Sequence, residues 1–453
     1  MKSKIFFLIA ITALIIFGES CKKSFEKANE DPNSPASVTP STLLPTVEAT
    51  LGYTQGGDIS RFSGLYDQQL FSSAQQTGAY YTYIVTDQDF DSPWGNMYTS
   101  VMENDKTLMN LADSFNNNEY SGISRILMAY SLQLMVDNWG KVPYSQALTA
   151  VNGGTFTPKY DNDQALYDTI VSLINVGTAK LSNSDAGGLT PSFDDAIYGG
   201  DESEWIKFGH AIKARLYIHQ SKNNAAMAAN ALAQLDSAFG SNSDNAQYIF
   251  GSTETSAGPV YQFDEQRGYI DYPSSTMAFF LDSLSDPRYN IYLDSTYSDV
   301  NEDGIGHYYG DDTGHVEFIT YDELLFVKAE ATLRSTGNFV AAQTAYDSAI
   351  YYNMTKLGVA PTDIATYLTA NGTLTTIAVD SAIAQVAFQE YLALYSNPEA
   401  FTLWRRTGSP VLVPTSGTNG IPRRYLYPNS EVTLNAANTP ASTSYTPKIF
   451  WDN

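Results

Sequence analysis

The residues best suited to binding a ligand form a run of tyrosines early in the chain. Tyr80, Tyr81 and Tyr83 stand close together, and Arg61 precedes them. Flat aromatic rings stack on the faces of sugars through dispersion and C–H/π contacts, and a phenol hydroxyl adds a polar edge to the ring. We therefore predict that these four residues contribute to a ligand-binding surface. Because the chain contains 32 tyrosines, the alternative is that the run only covers the protein surface.

A second group of oxygen-bearing residues matches the first half of a calcium-binding loop. Asp299, Asn301 and Asp303 occupy alternate positions, and Gly304 follows at the sixth position, as in an EF-hand loop. The twelfth position is Gly310, so the bidentate glutamate of that loop is missing. A structural Ca²⁺ ion is one interpretation of this segment, and an ordinary polar turn is the other. We expect no other cofactor.

Common signatures of nucleophilic, nucleotide-dependent and zinc-dependent catalysis are missing from the sequence. It contains no GxSxG, GxxxxGK[ST], GxGxxG or HExxH motif. Acidic side chains are numerous, with 49 Asp and Glu against 25 Lys and Arg and a net charge of −24, so pairs of carboxylates do not identify a glycosidase. The same charge argues against nucleic-acid binding, since that affinity comes from neutralising phosphates with Lys and Arg.

The most regular element that could position such a site is a helical hairpin over Thr320–Tyr352. Thr320 followed three residues later by Glu323 predicts a capping box at the start of the first helix. Gly337 supplies the left-handed residue that ends this helix. The stretch therefore predicts two antiparallel helices joined by a tight turn.

Small and aromatic residues on the second helix give the hairpin a repeat-like pattern. The spacing of Ala342, Tyr346 and Ala349 resembles a tetratricopeptide repeat. Glu330 departs from that pattern, and we expect it to form a local ion pair with Arg334. Because one such hairpin cannot bury its own apolar face, other helices must stack on it. An ordinary antiparallel helix pair is the alternative.

Helical periodicity recurs on both sides of the hairpin, whereas residues 242–314 are irregular. Long irregular segments within a compact domain are usually functional loops. We therefore predict a mainly α fold, with a tetratricopeptide-like scaffold of helical hairpins and a loop-rich ligand-binding face. Further helices are predicted at Ser41–Gln55, Pro93–Asp113, Tyr120–Asp137, Asp161–Leu181, Glu202–Ser221, Ala225–Phe239, Ser274–Leu284, Asp363–Leu368, Ile377–Ser396 and 398–407.

The N-terminal residues have the pattern of a lipoprotein signal peptide. Lys2 and Lys4 precede the apolar run Ile5–Phe17, which is too short for a permanent membrane span, and the sole cysteine, Cys21, follows. We predict a signal peptide over residues 1–20, lipidation of Cys21, and a lipidated tether and arm over 21–45. Residues 46–453 are predicted to form a single domain that includes the irregular insertion 242–314. An ordinary secreted protein with a free thiol is the alternative.

Separated motifs along the chain resemble those of one family. They are DNWGKVPYSQAL (Asp137–Leu148), PKYDNDQALYDTI (Pro158–Ile170), DAIYGGDESEWIKFGHAIKARL (Asp195–Leu216), SDPRY (Ser285–Tyr289), KAEA (Lys328–Ala331), NPEAFTLWRRTGSP (Asn397–Pro410), IPRRYLYPNSE (Ile421–Glu431) and the closing KIFWD. Together with the lipoprotein signal, they resemble the SusD/RagB outer-membrane lipoproteins of Bacteroidetes, in particular the shorter SusD-like subgroup.

The resemblance implies a non-enzymatic protein that is lipid-anchored to the outer membrane and faces the cell exterior. Such a protein captures an oligomeric nutrient, a glycan above all, and passes it to a SusC-like TonB-dependent transporter. The helical repeats would face the transporter, and the loop-rich face would hold the ligand. Because relatives also draw ligand contacts from the irregular insertion, the resemblance adds Tyr269 and Tyr272 to the predicted site.

Two other functions are compatible with the same residues. An all-helical glycoside hydrolase would also combine aromatic rings with carboxylates, and a repeat scaffold could bind only protein. The sequence does not distinguish a glucan, a fructan, a host glycan or a peptide as the ligand.

Overall fold

Helical segments with small and apolar inner faces account for most of the fold. In the computed structural model, the first half of the chain forms α1 (Pro40–Thr54), α2 (Ser60–Tyr66), α3 (Gln75–Tyr81), α4 (Asp91–Gly95), α5 (Glu103–Ser114), α6 (Asn118–Trp139), α7 (Asp163–Leu181), α8 (Glu202–His219) and α9 (Ala225–Leu235). The second half forms α10 (Pro259–Arg267), α11 (Thr276–Ser283), α12 (Tyr289–Tyr292), α13 (His307–Gly310), α14 (Tyr321–Thr336), α15 (Phe339–Lys356), α16 (Pro361–Asn371), α17 (Val379–Ala393), α18 (Glu399–Thr407) and α19 (Asn429–Leu434).

The structure describes residues 38–149, 153–183, 188–222, 224–293, 304–416, 420–441 and 444–452. The predicted signal peptide, the lipidation site Cys21, and the predicted calcium ligands Asp299, Asn301 and Asp303 lie outside these ranges. Helix α1 begins at Pro40, within the stretch that the sequence assigned to the N-terminal arm. In the described ranges, no helix combines the length and the apolar content that crossing a membrane requires.

The framework is a succession of helices, most of which pack against their neighbours in the chain. Helix α6 packs against α5 and α7, α7 against α8, and α8 against α9. Helix α9 then packs against α14, which also contacts α15 and α17. The residues from Pro40 onward form one compact unit. The predicted mainly α fold is confirmed.

The central hairpin consists of α14 and α15, as predicted. Gly337 ends α14 in the left-handed conformation, with φ 64°. Thr320 is the N-cap of α14, but its side chain makes no capping hydrogen bond, so the predicted capping box is wrong. Glu323 instead accepts two hydrogen bonds from Arg215 of α8, at 2.7 and 2.6 Å. A buried bidentate arginine–carboxylate pair is stronger than a neutral capping bond.

The predicted ion pair between Glu330 and Arg334 is confirmed and is part of a larger contact. Arg334 Nε lies 2.6 Å from Glu330 Oε1, and Arg406 of α18 also binds the fully buried carboxylate at 2.5 Å. Burial alone would raise the pKa of Glu330, but the charges of Arg406 and Arg334 outweigh it and lower this pKa to about 2. Glu330 therefore fixes α18 against the hairpin.

A short antiparallel sheet brackets the irregular segment. Strand β1 (Ala246–Ile249) pairs with β2 (His315–Ile319), and the register joins Ala246 to Ile319 and Ile249 to His315. Helices α10, α11, α12 and α13 lie between the two strands in sequence. The two ends of the irregular insertion are thus held together by the hydrogen bonds between β1 and β2.

Two of the three tyrosines of the run, Tyr80 and Tyr81, belong to a short helix, and Tyr83 lies in the turn that follows it. Helix α1 continues through the π-helical segment Gln55–Ile59 into α2, and α3 ends at Tyr81. Tyr80 and Tyr81 therefore lie in the last turn of α3, a helix that was not predicted from the sequence. Periodicity is hard to recognise in a helix as short as α3, because it shows less than two full turns of pattern.

Candidate functional site

A cleft of about 400 Å³ lies between the short helices α2, α3 and α10. Three of the predicted site residues, Arg61, Tyr80 and Tyr269, line it. The other lining residues are Asp58, Phe62, Gln76, Thr77, Thr86, Gln88, Asp89, Ser92, Phe263 and Arg267. The volume is within the range of cavities that hold small molecules.

One wall of the cleft is built on Tyr80. Its ring packs against Phe62, with the centroids 4.6 Å apart, and only 7% of the residue is exposed. The Tyr80 hydroxyl donates a hydrogen bond to Asp89 Oδ1 at 2.8 Å. Burial, and then this hydrogen bond, raise the pKa of Tyr80 well above its ordinary value, so the phenol stays neutral. Tyr80 therefore supports the wall more than it projects into the cleft.

The facing wall carries two aromatic rings that are partly exposed. Phe263 and Tyr269 meet edge to face, with their centroids 6.4 Å apart. The Arg61 guanidinium lies 3.9 Å from the centroid of Phe263 and forms an ion pair with Asp58. Cation–π attraction and the ion pair both hold Arg61 in place. Arg61 thus covers one face of Phe263, and the exposed parts of the two rings are of the kind that stack on sugars.

Asp89 is bound by protein groups at both of its oxygens. Oδ1 accepts from Gln76 Nε2 at 3.0 Å as well as from Tyr80. Oδ2 accepts from the backbone N–H of Thr86 at 2.7 Å and from its hydroxyl at 2.9 Å. With Asp58 paired to Arg61, both carboxylates of the cleft are committed to protein partners. The surface left for a ligand is aromatic and neutral-polar, apart from the exposed Arg267.

Tyr81 and Tyr83 do not line this cleft. Tyr81 is half-buried and packs edge to face on Phe71, with the centroids 5.0 Å apart. Tyr83 is 5% exposed, and its hydroxyl accepts a hydrogen bond from the backbone N–H of Thr415 at 3.2 Å. The structure therefore places the tyrosine run on two sides of α3 rather than on one surface.

Tyr272 lies beside the cleft, in a smaller cavity. It is 3% exposed, and its hydroxyl donates to Asp264 Oδ2 at 2.8 Å. This smaller cavity also has Arg61 in its lining. Tyr272 is thus near the predicted site but is largely enclosed by protein.

Sequence reasoning missed Phe263 and Arg267, which lie on α10. A signal for this helix was present, because Pro259 stands at its first turn and Gly268 ends it in the left-handed conformation. Phe263 and Arg267 are four residues apart, which places them on the same face of such a helix. Recognising α10 would have pointed to Phe263 as a partner for Tyr269.

A buried cluster away from the cleft combines residue types that can bind metals. Ligand atoms of Asp137, His219 and Glu399 lie within 4.8 Å of one another. However, His219 Nε2 lies 2.8 Å from Glu399 Oε1, and its Nδ1 lies 2.8 Å from the Tyr167 hydroxyl. Arg215 Nε is also 3.7 Å from Glu399. The cluster is therefore already matched in charge and hydrogen bonds, and it fits a structural network better than a cation site.

Comparison with known proteins gives one family and a set of related folds. A family model described as SusD-like, starch-binding and associating with the outer membrane, matches residues 32–428. No curated protein sequence matches the chain. A solved SusD/RagB family protein from Bacteroides thetaiotaomicron is 21% identical with a TM-score of 0.72, and the match covers 92% of this chain and 99% of that one.

Two further structures show the same fold. A SusD homolog from Bacteroides fragilis is 20% identical with a TM-score of 0.74, over 92% of this chain and 100% of that one. A chitin-binding SusD homolog from Flavobacterium johnsoniae is 19% identical with a TM-score of 0.73, over 91% of this chain and 97% of that one. At these identities, the structures establish a shared fold.

Proposed function

The chain belongs to the SusD-like family, described as starch-binding and associating with the outer membrane, and from this premise we propose that it binds an oligomeric carbohydrate without altering it. The resemblance to this family, which the sequence motifs indicated, is thereby confirmed. A structural neighbour described as chitin-binding also supports a glycan as the ligand.

The observation that carries the proposal is the makeup of the cleft. Phe263 and Tyr269 present partly exposed rings, and Gln76 and Gln88 add exposed amides. Sugars are recognised by this combination, because ring faces take the apolar face of a pyranose and amides bind its hydroxyls. The cleft volume of about 400 Å³ suits one or two sugar rings of a longer chain.

A binding role fits the cleft better than glycoside hydrolysis does. Hydrolysis of a glycosidic bond needs one carboxylic acid and one free carboxylate on either side of the bond. Asp58 is paired with Arg61, and Asp89 has four protein donors. Neither carboxylate is therefore available for acid–base work without losing its present partners.

Transfer of the bound glycan to a SusC-like TonB-dependent transporter completes the proposal. The predicted lipid on Cys21 would hold the protein on the outer membrane, facing the exterior. Support comes from the lipoprotein-like N-terminal sequence and from the family description, which includes association with the outer membrane.

The proposal is tested by calorimetric titration against a panel of neutral oligosaccharides that includes starch-derived and chitin-derived oligomers. Phe263→Ala and Tyr269→Ala should each weaken binding about tenfold, because an aromatic contact is worth about 0.5–1.5 kcal/mol beyond the area it buries. Tyr351→Ala is the matched control, since Tyr351 is 42% exposed and lies outside the cleft. Absence of binding across the panel, or equal affinity in all three variants, would contradict the proposal.

A further inference from the structure

A second cavity of about 30 Å³ shares two wall residues with the cleft, Arg61 and Phe263. We call it the inner pocket. Much of its lining is aliphatic, from Leu70, Ile270 and Ile305. The two spaces therefore adjoin each other at Arg61 and Phe263.

Two hydroxyl groups in the inner pocket have no partner among the described residues. Ser60 and Tyr395 both line it, and neither Ser60 Oγ nor the Tyr395 hydroxyl makes a hydrogen bond. Ser60 is 5% exposed and Tyr395 is fully buried. Leaving a buried hydroxyl unpaired costs about 1–3 kcal/mol, so native proteins usually supply a partner. The inner pocket therefore offers hydrogen bonds that the protein itself does not use.

One side of the inner pocket is formed by irregular backbone. Gly56 and Gly57 line it within the π-helical segment, and Gly57 departs from helical geometry with φ −87° and ψ −108°. A Cβ atom at Gly56 would overlap Val316 Cγ2, so glycine at this position leaves room for the Val316 side chain. Single π-helical turns inside α-helices occur frequently at functional sites.

We propose that the inner pocket receives the acetamido group of an N-acetylated sugar whose ring lies in the cleft. This inference rests on the proposed function. A water molecule needs about 10–15 Å³ of such space, so the inner pocket of about 30 Å³ admits about two or three heavy atoms, which matches the carbonyl carbon, oxygen and methyl of the acetyl part. The methyl of an acetyl group would contact the aliphatic lining, and its carbonyl oxygen would accept from Ser60 or Tyr395. A sugar hydroxyl would pair with one of them but leave the aliphatic surface uncovered.

The neutral charge of an acetamido group also matches the surroundings. Among the described lining residues, Arg61 is the one that carries a charge, and it is already paired with Asp58 and held over Phe263. A carboxylate substituent would compete with Asp58, and an ammonium group would enter beside a guanidinium. Both charged groups carry a larger desolvation cost than the neutral acetamido group does.

The inference is tested by calorimetry on the full chain with two β-1,4-linked tetramers, of N-acetylglucosamine and of glucose. They differ only in an acetamido group in place of a hydroxyl at C2. We expect the N-acetylated tetramer to bind at least about tenfold more tightly, since a well-filled apolar subsite gives discrimination of that order. Equal affinity would overturn the inference and leave the proposed function intact. If neither tetramer binds, the inference fails, and the wider panel decides the proposed function separately.

Two variants test whether the preference for the N-acetylated tetramer arises in the inner pocket. Tyr395→Phe removes only the hydroxyl, and Val260→Phe places a ring in the inner pocket from a half-buried position. Each should reduce the preference for the N-acetylated tetramer, measured as the ratio of the two dissociation constants, at least about threefold. Thermal melting checks that both variants fold. A preference that survives in both folded variants would overturn the assignment of this pocket.

Discussion

His219 is a buried imidazole placed between two carboxylates. Nε2 donates to Glu399, and Nδ1 faces both the Tyr167 hydroxyl and, at 3.6 Å, Asp137 Oδ2. Burial by itself would lower the pKa of His219, but the charges of Glu399 and Asp137 raise it to about 9. The imidazolium therefore forms part of the native charge network.

This raised pKa predicts a loss of stability in alkaline solution. The ordinary pKa of histidine is about 6.5, so the folded state holds its proton more tightly than the unfolded chain does. The stabilisation is complete below about pH 6.5 and disappears as the pH rises through about 9. We expect the difference in unfolding free energy between wild type and His219→Gln to shrink over that interval in urea titrations. A difference that does not change with pH would contradict the assignment.

At the scale of single residues, the sequence predicted only part of the lining of the cleft. Arg61, Tyr80 and Tyr269 do meet in the cleft, although they come from distant parts of the chain. Tyr83 and Tyr272 are instead enclosed by packing partners such as Thr415 and Asp264. Which tyrosine faces solvent depends on such long-range contacts, and local composition carries no information about them.

At the scale of elements, the sequence predicted the long periodic helices and the short helices α11 and α18, but it did not predict α2, α3 or α10. The hairpin of α14 and α15 follows from its apolar spacing and from Gly337. Its capping box did not form because Glu323 binds Arg215, a partner from another helix. The cleft rests on α2, α3 and α10, which are too short to show a clear period. The helices that line the cleft are thus among those with the weakest local signal.

The close contact between Gly56, in the π-helical segment, and the Val316 side chain gives a prediction about stability. Gly56→Ala should lower the free energy of unfolding by about 1–3 kcal/mol, because the new methyl would overlap Val316 and force a shift. Gly95→Ala is the matched control, since a Cβ there meets nothing within 4 Å and its backbone is helical, with φ −59°. Chemical denaturation of both variants measures the difference. Similar stability in the two would show that the Gly56 contact relaxes easily.

For the whole molecule, the central prediction concerns attachment to the membrane. Changing Cys21 to Ala removes the thiol that we propose is lipidated, and two or more hydrophobic anchors are needed for stable membrane binding. Wild-type protein should sediment with the outer membrane, whereas the Cys21→Ala protein should remain in the soluble fraction. If the wild-type protein is also found in the soluble fraction, lipid anchoring at Cys21 is ruled out.

The overall fold could be predicted from the sequence because it depends on the pattern of apolar and small residues rather than on the identity of each residue. Structures at about one-fifth identity share it over more than nine-tenths of the chain. Helical periodicity and small residues at close helix contacts survive such divergence, since many apolar side chains fill the same space. The cleft does not share this tolerance, because its chemistry depends on particular side chains such as Phe263.

The pairing of β1 with β2 has a consequence for how this protein can change. The ladder from Ala246 to Ile319 already brings together the two ends of the segment that carries α10. The entropy of closing a loop grows only slowly with its length, so residues can be added to or removed from this segment at little cost to the helices outside it. The segment between β1 and β2 can therefore change in sequence and length without altering the helices outside it. New sugar preferences can evolve in it while the framework underneath stays as it is.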